Sequence, residues 1–119
     1  MPQIYLIGIG MGNPDTLTVR AQRIIGQSDC LIGAKRMLES VENDRAVRIS
    51  SIKNEEIVSA ILQQPQDSII SVLLSGDVGF YSAAKKLCGC IRQSVAGAKL
   101  ELICGISSLQ YFCAKIETS

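Results

Sequence analysis

The stretch Ile4-Tyr5-Leu6-Ile7-Gly8-Ile9-Gly10-Met11-Gly12-Asn13-Pro14 decides the fold. Its apolar first half is too short and too β-branched to favour a helix, so it reads as a buried strand. Three glycines at alternate positions follow, and Pro14 then bars an immediate helix interior. Without a Cβ, this backbone can turn sharply and approach a ligand closely. A buried strand running into such a loop is the ligand-binding edge of an open parallel sheet.

Outward from that strand, apolar residues fall into alternating strand and helix patterns. Leu17, Ala21, Ile24 and Ile25 have helical spacing, with Thr16 or Thr18 as the cap and Arg20 and Arg23 facing solvent. Cys30 to Ile32 is a short second strand ended by Gly33, and Ala34, Met37, Leu38 and Val41 make a second helical stripe. Glu42 to Arg45 is a polar turn, and Ala46 to Ile49 is a third strand near an edge because Arg48 interrupts it. Asn54 is the expected cap of a third helix, with Glu55 and Glu56 in the first turn and Ile57, Ala60 and Ile61 buried. Ser68 to Leu74 is almost continuously apolar, which places it in the sheet centre beside the first strand. Phe80, Ala83, Ala84, Leu87, Cys88 and Ile91 form the clearest helical stripe, with Lys85, Lys86 and Arg92 opposite. Lys99 to Cys104 alternates charged and apolar residues, as an edge strand does, and Leu109, Phe112, Cys113 and Ile116 predict a last helix. Five strands alternating with five helices predict an α/β fold: one five-stranded parallel sheet with helices on both faces.

Composition narrows the function. The chain has 119 residues, 47% hydrophobic and 19% charged, with a net charge of +1, which suits one globular domain. There is no basic stripe or set of stacking aromatics for nucleic acid, no apolar run of about 20 residues for a membrane span, and no signal-peptide pattern. A cytoplasmic location is expected, with the five cysteines as thiols. Cys88-Gly89-Cys90 lacks a second pair at zinc spacing, so no metal is expected. The absence of histidine removes the commonest general base and the Ser-His and Cys-His nucleophile arrangements.

In a parallel sheet every strand points its C-terminus to one edge. Gly8–Pro14, Ser75–Tyr81 and Gly105–Ser108 therefore converge, offering backbone N–H groups, helix N-termini, the Asp77 carboxylate and the Ser107 and Ser108 hydroxyls. Glycine after one strand is ordinary turn geometry; three such loops on one edge point to a ligand site. Asp77 also reads as a loop cap, and Ser107 with Gln110 as a capping box. A dinucleotide fingerprint would need glycine where Asn13 stands, and no acidic residue closes the second strand. No G-x-x-x-x-G-K-[ST] element exists, which excludes a P-loop.

Three segments together resemble the tetrapyrrole methylases: Ile7 to Pro14 with Leu17-Thr18 and Ala21, Ser75 to Ser82, and Gly105 to Ser108. The wording Ser-Gly-Asp-x-Gly-Phe-Tyr-Ser with Gly-Ile-Ser-Ser-Leu-Gln is most similar to the branch that methylates C5 of cobalt-precorrin-7, whose fused relatives act at C5 and C15 of precorrin-6Y. The resemblance implies S-adenosylmethionine (SAM) as methyl donor, a corrin precursor as substrate, and a homodimer. It implies two α/β domains with the cofactor between them, of which residues 1–119 match the first; the C-terminal domain is absent from this chain, which is then expected to be inactive alone. By motif, Gly76, Asp77, Phe80, Ser107 and Ser108 are expected beside the cofactor. Gly10, Met11 and Gly12 are expected to face the methyl-transfer cleft and the tetrapyrrole. The resemblance names no catalytic acid or base. The family usually has proline where Met11, Val78 and Cys104 stand, so these loops are less preorganised. Uroporphyrinogen-III methylation, ribosomal-RNA 2′-O-ribose methylation and a non-catalytic module on the same fold are the alternatives.

Overall fold

A computed structural model describes residues 2–10, 17–76 and 79–106. The described elements are β1 (Gln3–Ile9), α1 (Val19–Gln27), β2 (Cys30–Gly33), α2 (Lys35–Glu39), β3 (Val47–Ser50), α3 (Asn54–Leu62), β4 (Ile69–Ser75), α4 (Phe80–Ser94) and β5 (Lys99–Cys104). The strands form one parallel sheet in the order β3-β2-β4-β1-β5. β4 lies beside β1 in the interior, and the mixed strands β3 and β5 take the edges, as their patterns predict. The fifth expected helix lies outside the described residues.

Strand alternation sends successive side chains to opposite faces, and each face carries its own core. Ile4, Leu6, Cys30, Ile32, Ile70 and Val72 pack against α3 and α4 through Ile57, Ile61, Phe80, Ala84, Leu87 and Ile91. Ile7, Ile9, Leu31, Leu73 and Ile103 pack against α1 and the α2 region through Ala21, Ile25, Leu38 and Val41. Gly97 turns the chain into β5 at φ 74°, a left-handed conformation that glycine adopts without steric cost.

Several local expectations shift. Lys53, not Asn54, occupies the N-cap position of α3, and no side chain of the described residues caps it. Ala83 is exposed while its neighbour Ala84 is fully buried, so only one alanine belongs to the α4 stripe. α2 is a short helix, and Val41 reaches the core from the segment after it. Thr18 does cap α1: its Oγ1 accepts the Ala21 N–H at 3.1 Å.

One polar link crosses the second core. Ser28 and Ser71, both fully buried, share a hydrogen bond of 2.6 Å, and the Ser28 hydroxyl also reaches the Ile24 carbonyl at 2.8 Å. Because Ser28 keeps that carbonyl as a partner, Ser71→Ala should cost only about 1 kcal/mol in chemical denaturation. Ser28→Ala, which orphans Ser71, should cost more; the reverse order would contradict the pairing.

Candidate functional site

The connections leave the carboxyl edge in opposite directions. The chain after β1 crosses to the α1 face, and the chain after β4 crosses to the α4 face, although β1 and β4 are neighbours. Divergence of adjacent strands in this way marks the place where open α/β sheets bind ligands in a crevice.

Three strand ends meet there. Gly76 continues the pairing past β4 by donating its N–H to Ile9 O at 2.9 Å, and Gly105 does the same past β5 to Gly8 O at 2.9 Å. The Gly105 carbonyl accepts the Thr18 N–H at 2.8 Å, and Leu17 forms an isolated antiparallel bridge with Ile106. Residues from the glycine-rich ends of β1, β4 and β5 therefore share one rim with the start of α1.

Of the backbone N–H groups that the three loops are expected to offer, those of Gly76 and Gly105 are used in holding the strand ends together, and those of residues 11–13, 77–78 and 107–108 lie outside the described residues. The glycines allow close approach of backbone to backbone. A Cβ on Gly105 would lie 2.5 Å from Gly8 O and 2.9 Å from Ile7 Cγ2. A Cβ on Gly76 would overlap Ile106 Cδ1 and lie 3.0 Å from Ile9 N.

Of the residues expected beside a cofactor or substrate, Gly10, Gly76 and Phe80 are described. Asp77, Ser107, Ser108, Met11 and Gly12 lie outside the described residues. Gly10 follows β1 directly and stands half-exposed at the crevice. Phe80 has a core role: its side chain is 3% exposed, and a Cβ on Gly8 would lie 2.9 Å from its ring. The ring thus packs over Gly8 beneath the end of β1, while the first turn of α4 has no side-chain cap from the described residues. Ile106 is the rim residue that motif reading passed over, because the Gly105–Ser108 segment was weighed for its glycine and its hydroxyls. A single sequence holds no signal that an isoleucine there sits over a glycine of another strand.

Two of the described thiols, Cys30 and Cys88, are buried in the core that α3 and α4 cover. Burial, reinforced by the Asp29 carboxylate, pushes Cys30 up to about 11, and burial also raises Cys88 against the opposing pull of Arg92. Among the described residues no three His, Cys, Asp or Glu side chains come together as metal ligands. No described helix is long and apolar enough to cross a membrane. At about pH 8, a thiol reagent should modify half-exposed Cys90 at least about tenfold faster than Cys30 or Cys88, read by peptide mass spectrometry. Equal rates would show that the α4 and β2 cores open readily.

A parallel sheet with helices on both faces and a topological switch point between β1 and β4 defines a doubly wound α/β domain. The sequence matches the model of the Tetrapyrrole (Corrin/Porphyrin) Methylases over residues 3–119, and the chain belongs to that family. A probable cobalt-precorrin-7 C(5)-methyltransferase of Methanocaldococcus jannaschii is 31% identical over 98% of this chain and 55% of its own length. A precorrin-4 C(11)-methyltransferase of Pseudomonas aeruginosa is 27% identical over 88% of the chain and 44% of its own length. Among solved structures, a precorrin-6Y methylase from Archaeoglobus fulgidus superposes with a TM-score of 0.62 at 24% identity, over 97% of this chain and 58% of that one. The chain thus spans about half the length of these relatives.

Proposed function

We propose that this chain is the N-terminal domain of a cytoplasmic, SAM-dependent methyltransferase that acts, as a homodimer, on a corrin precursor in cobalamin biosynthesis. The crevice between the diverging ends of β1 and β4 carries this reading, together with family membership. Names of relatives that methylate C5, C11 or C17 of such precursors support the substrate class. The Ser75–Ser82 wording favours the C5 branch. The partial coverage of these two relatives supports a second domain that closes the other side of the site. Without it, residues 1–119 would hold the donor weakly and transfer no methyl group.

The described rim suits one wall of such a site. Gly10 and Gly76 project no side chain into the crevice, Phe80 closes its floor, and paired strand ends make the wall stiff. Asp77 directly follows Gly76 and would bring a carboxylate to the ribose hydroxyls or amino group of SAM, with Ser107 and Ser108 as hydroxyl partners. Gly10, Met11 and Gly12 would line the path to the macrocycle. SAM itself supplies an electrophilic methyl group, so positioning against a nucleophilic carbon supplies most of the acceleration. A chain without histidine is suited to that task.

The test is calorimetric titration of SAM into the full-length protein. Wild type should bind, and Asp77→Ala should bind at least about tenfold more weakly, the loss expected when a charged hydrogen bond is removed. No binding by wild type would favour a non-catalytic module. Unchanged affinity in the variant would remove Asp77 from the site.

A further inference from the structure

We propose that Ile106 is a positioning residue, a wedge that registers the β4 rim against the β1 and β5 rims and so sets the width of the crevice. Three observations converge on it. Its Cδ1 occupies the space where Gly76 lacks a Cβ, and its Cγ1 lies 3.0 Å from that position. Its backbone bridges to Leu17 at the entry to α1. Its neighbour Gly105 is tied to Gly8 O and Thr18 N by hydrogen bonds of 2.9 and 2.8 Å. One half-buried side chain thus touches the strand end that precedes Asp77 while its backbone is held by the other two segments. Gly76 and Ile106 are coupled in size: the Ile106 side chain fills the space a Cβ at 76 would take, and the Ile9 backbone nitrogen lies 3.0 Å from the same position.

The consequence for ligand binding rests on the cofactor site proposed above; the coupling itself does not. Gly76 adjoins Asp77 in the sequence, which ties the β4 end to the proposed cofactor site. Loss of the wedge should weaken SAM binding without unfolding the sheet, because the two cores lie mainly along the strands and helices beneath the rim.

The experiment uses the full-length protein and four variants: Ile106→Val, Ile106→Ala, Gly76→Ala and the double variant Gly76→Ala/Ile106→Ala. Amide hydrogen exchange reports the rim in the absence of ligand, and calorimetry with SAM reports the site. In Ile106→Ala, the Gly76 and Thr18 amides should exchange at least about tenfold faster, mid-strand Leu6 and Val72 should be unchanged, and SAM affinity should fall about tenfold. Ile106→Val, which keeps the branched body of the wedge, should stay within about twofold of wild type on both measures. Gly76→Ala should be impaired, and the double variant should recover part of that loss in exchange and melting temperature, since its new methyl group no longer meets Ile106. Slow rim exchange in Ile106→Ala, or a double variant no better than Gly76→Ala, would overturn the wedge. If wild type binds no SAM, the cofactor reading fails, while exchange and the size swap still decide the coupling. Normal SAM binding in an Ile106→Ala protein with a loosened rim would overturn the positioning role.

Discussion

Gly105→Ala should be among the most destabilising single-methyl additions available in this protein. The new Cβ would sit 2.5 Å from Gly8 O, 2.9 Å from Ile7 Cγ2 and 3.3 Å from Ala21 Cβ. Two of these neighbours belong to the interior strand β1 and one to a fully buried helix residue, so none can swing aside. Nor can the Gly105 backbone retreat, because its N–H and C=O are both committed, to Gly8 O and Thr18 N. Overpacking of a tight interior costs about 1–3 kcal/mol. Strain on two hydrogen bonds adds about 1 kcal/mol or more. The expected loss is therefore about 3 kcal/mol, and for a domain of this size that lowers the melting temperature by on the order of 10 °C. Gly89→Ala makes the contrast: nothing lies within 4 Å of its missing Cβ, and it sits inside α4. That change should stabilise by about 0.5–1 kcal/mol, because alanine loses less backbone freedom on folding. Thermal melts of the two variants test both signs, and a Gly105→Ala protein melting with wild type would refute the close approach.

Asn43→Ala is expected to cost as much, by removing atoms instead of adding them. Asn43 is 8% exposed and its amide makes four hydrogen bonds. Nδ2 donates to the Ile25 and Ser28 carbonyls at 2.8 and 2.9 Å, covering the C-terminal end of α1. Oδ1 accepts the Arg45 and Ala46 N–H groups at 3.0 and 2.8 Å, shaping the turn into β3. Each net bond contributes about 1 kcal/mol and buried orphans cost more, so truncation should remove about 3–4 kcal/mol. Asn43→Asp tests the donor half separately. Its ionised carboxylate would face two carbonyl oxygens, whereas the protonated acid can donate to one of them. The variant keeps the two acceptor bonds but strips the Ile25 and Ser28 carbonyls of their donor, so at pH 7 it should be destabilised by about 1–3 kcal/mol. Denaturant midpoints of the two variants check this; an Asn43→Asp protein as stable as wild type would contradict the assigned amide orientation.

Arg48 shows how a residue can be read correctly in place and wrongly in meaning. Its charge marks β3 as an edge, and β3 is an edge. The guanidinium is nevertheless spent on the chain before it, reaching Leu38 O, then Val41 O at 3.2 Å and Asn43 O at 3.0 Å. Asn43 itself reads as part of a polar turn, and only its placement against the end of α1 makes it a hub. The α3 cap failed by one residue for a related reason. Lys53 takes the extended backbone of the cap position, ψ 143°, so Asn54 is already inside the helix where its side chain cannot cap.

The glycine loops show the same division at the candidate site. Their position after strands predicts that they meet on one edge, and the ends of β1, β4 and β5 do meet there. That Gly76 and Gly105 turn their N–H groups to neighbouring strands follows from register, which no local pattern encodes.

Local pattern suffices for the alternation of strands and helices, the parallel sheet and most of the apolar stripes that build the core. Those follow from periods of two and 3.6, which are properties of neighbours along the chain. Folding in three dimensions settles which groups spend their hydrogen bonds on one another and which side chain fills a glycine's empty space. Ile106 over Gly76, Phe80 over Gly8 and Asn43 beneath α1 are contacts between residues far apart in sequence, and their energies depend on separations of a few tenths of an ångström.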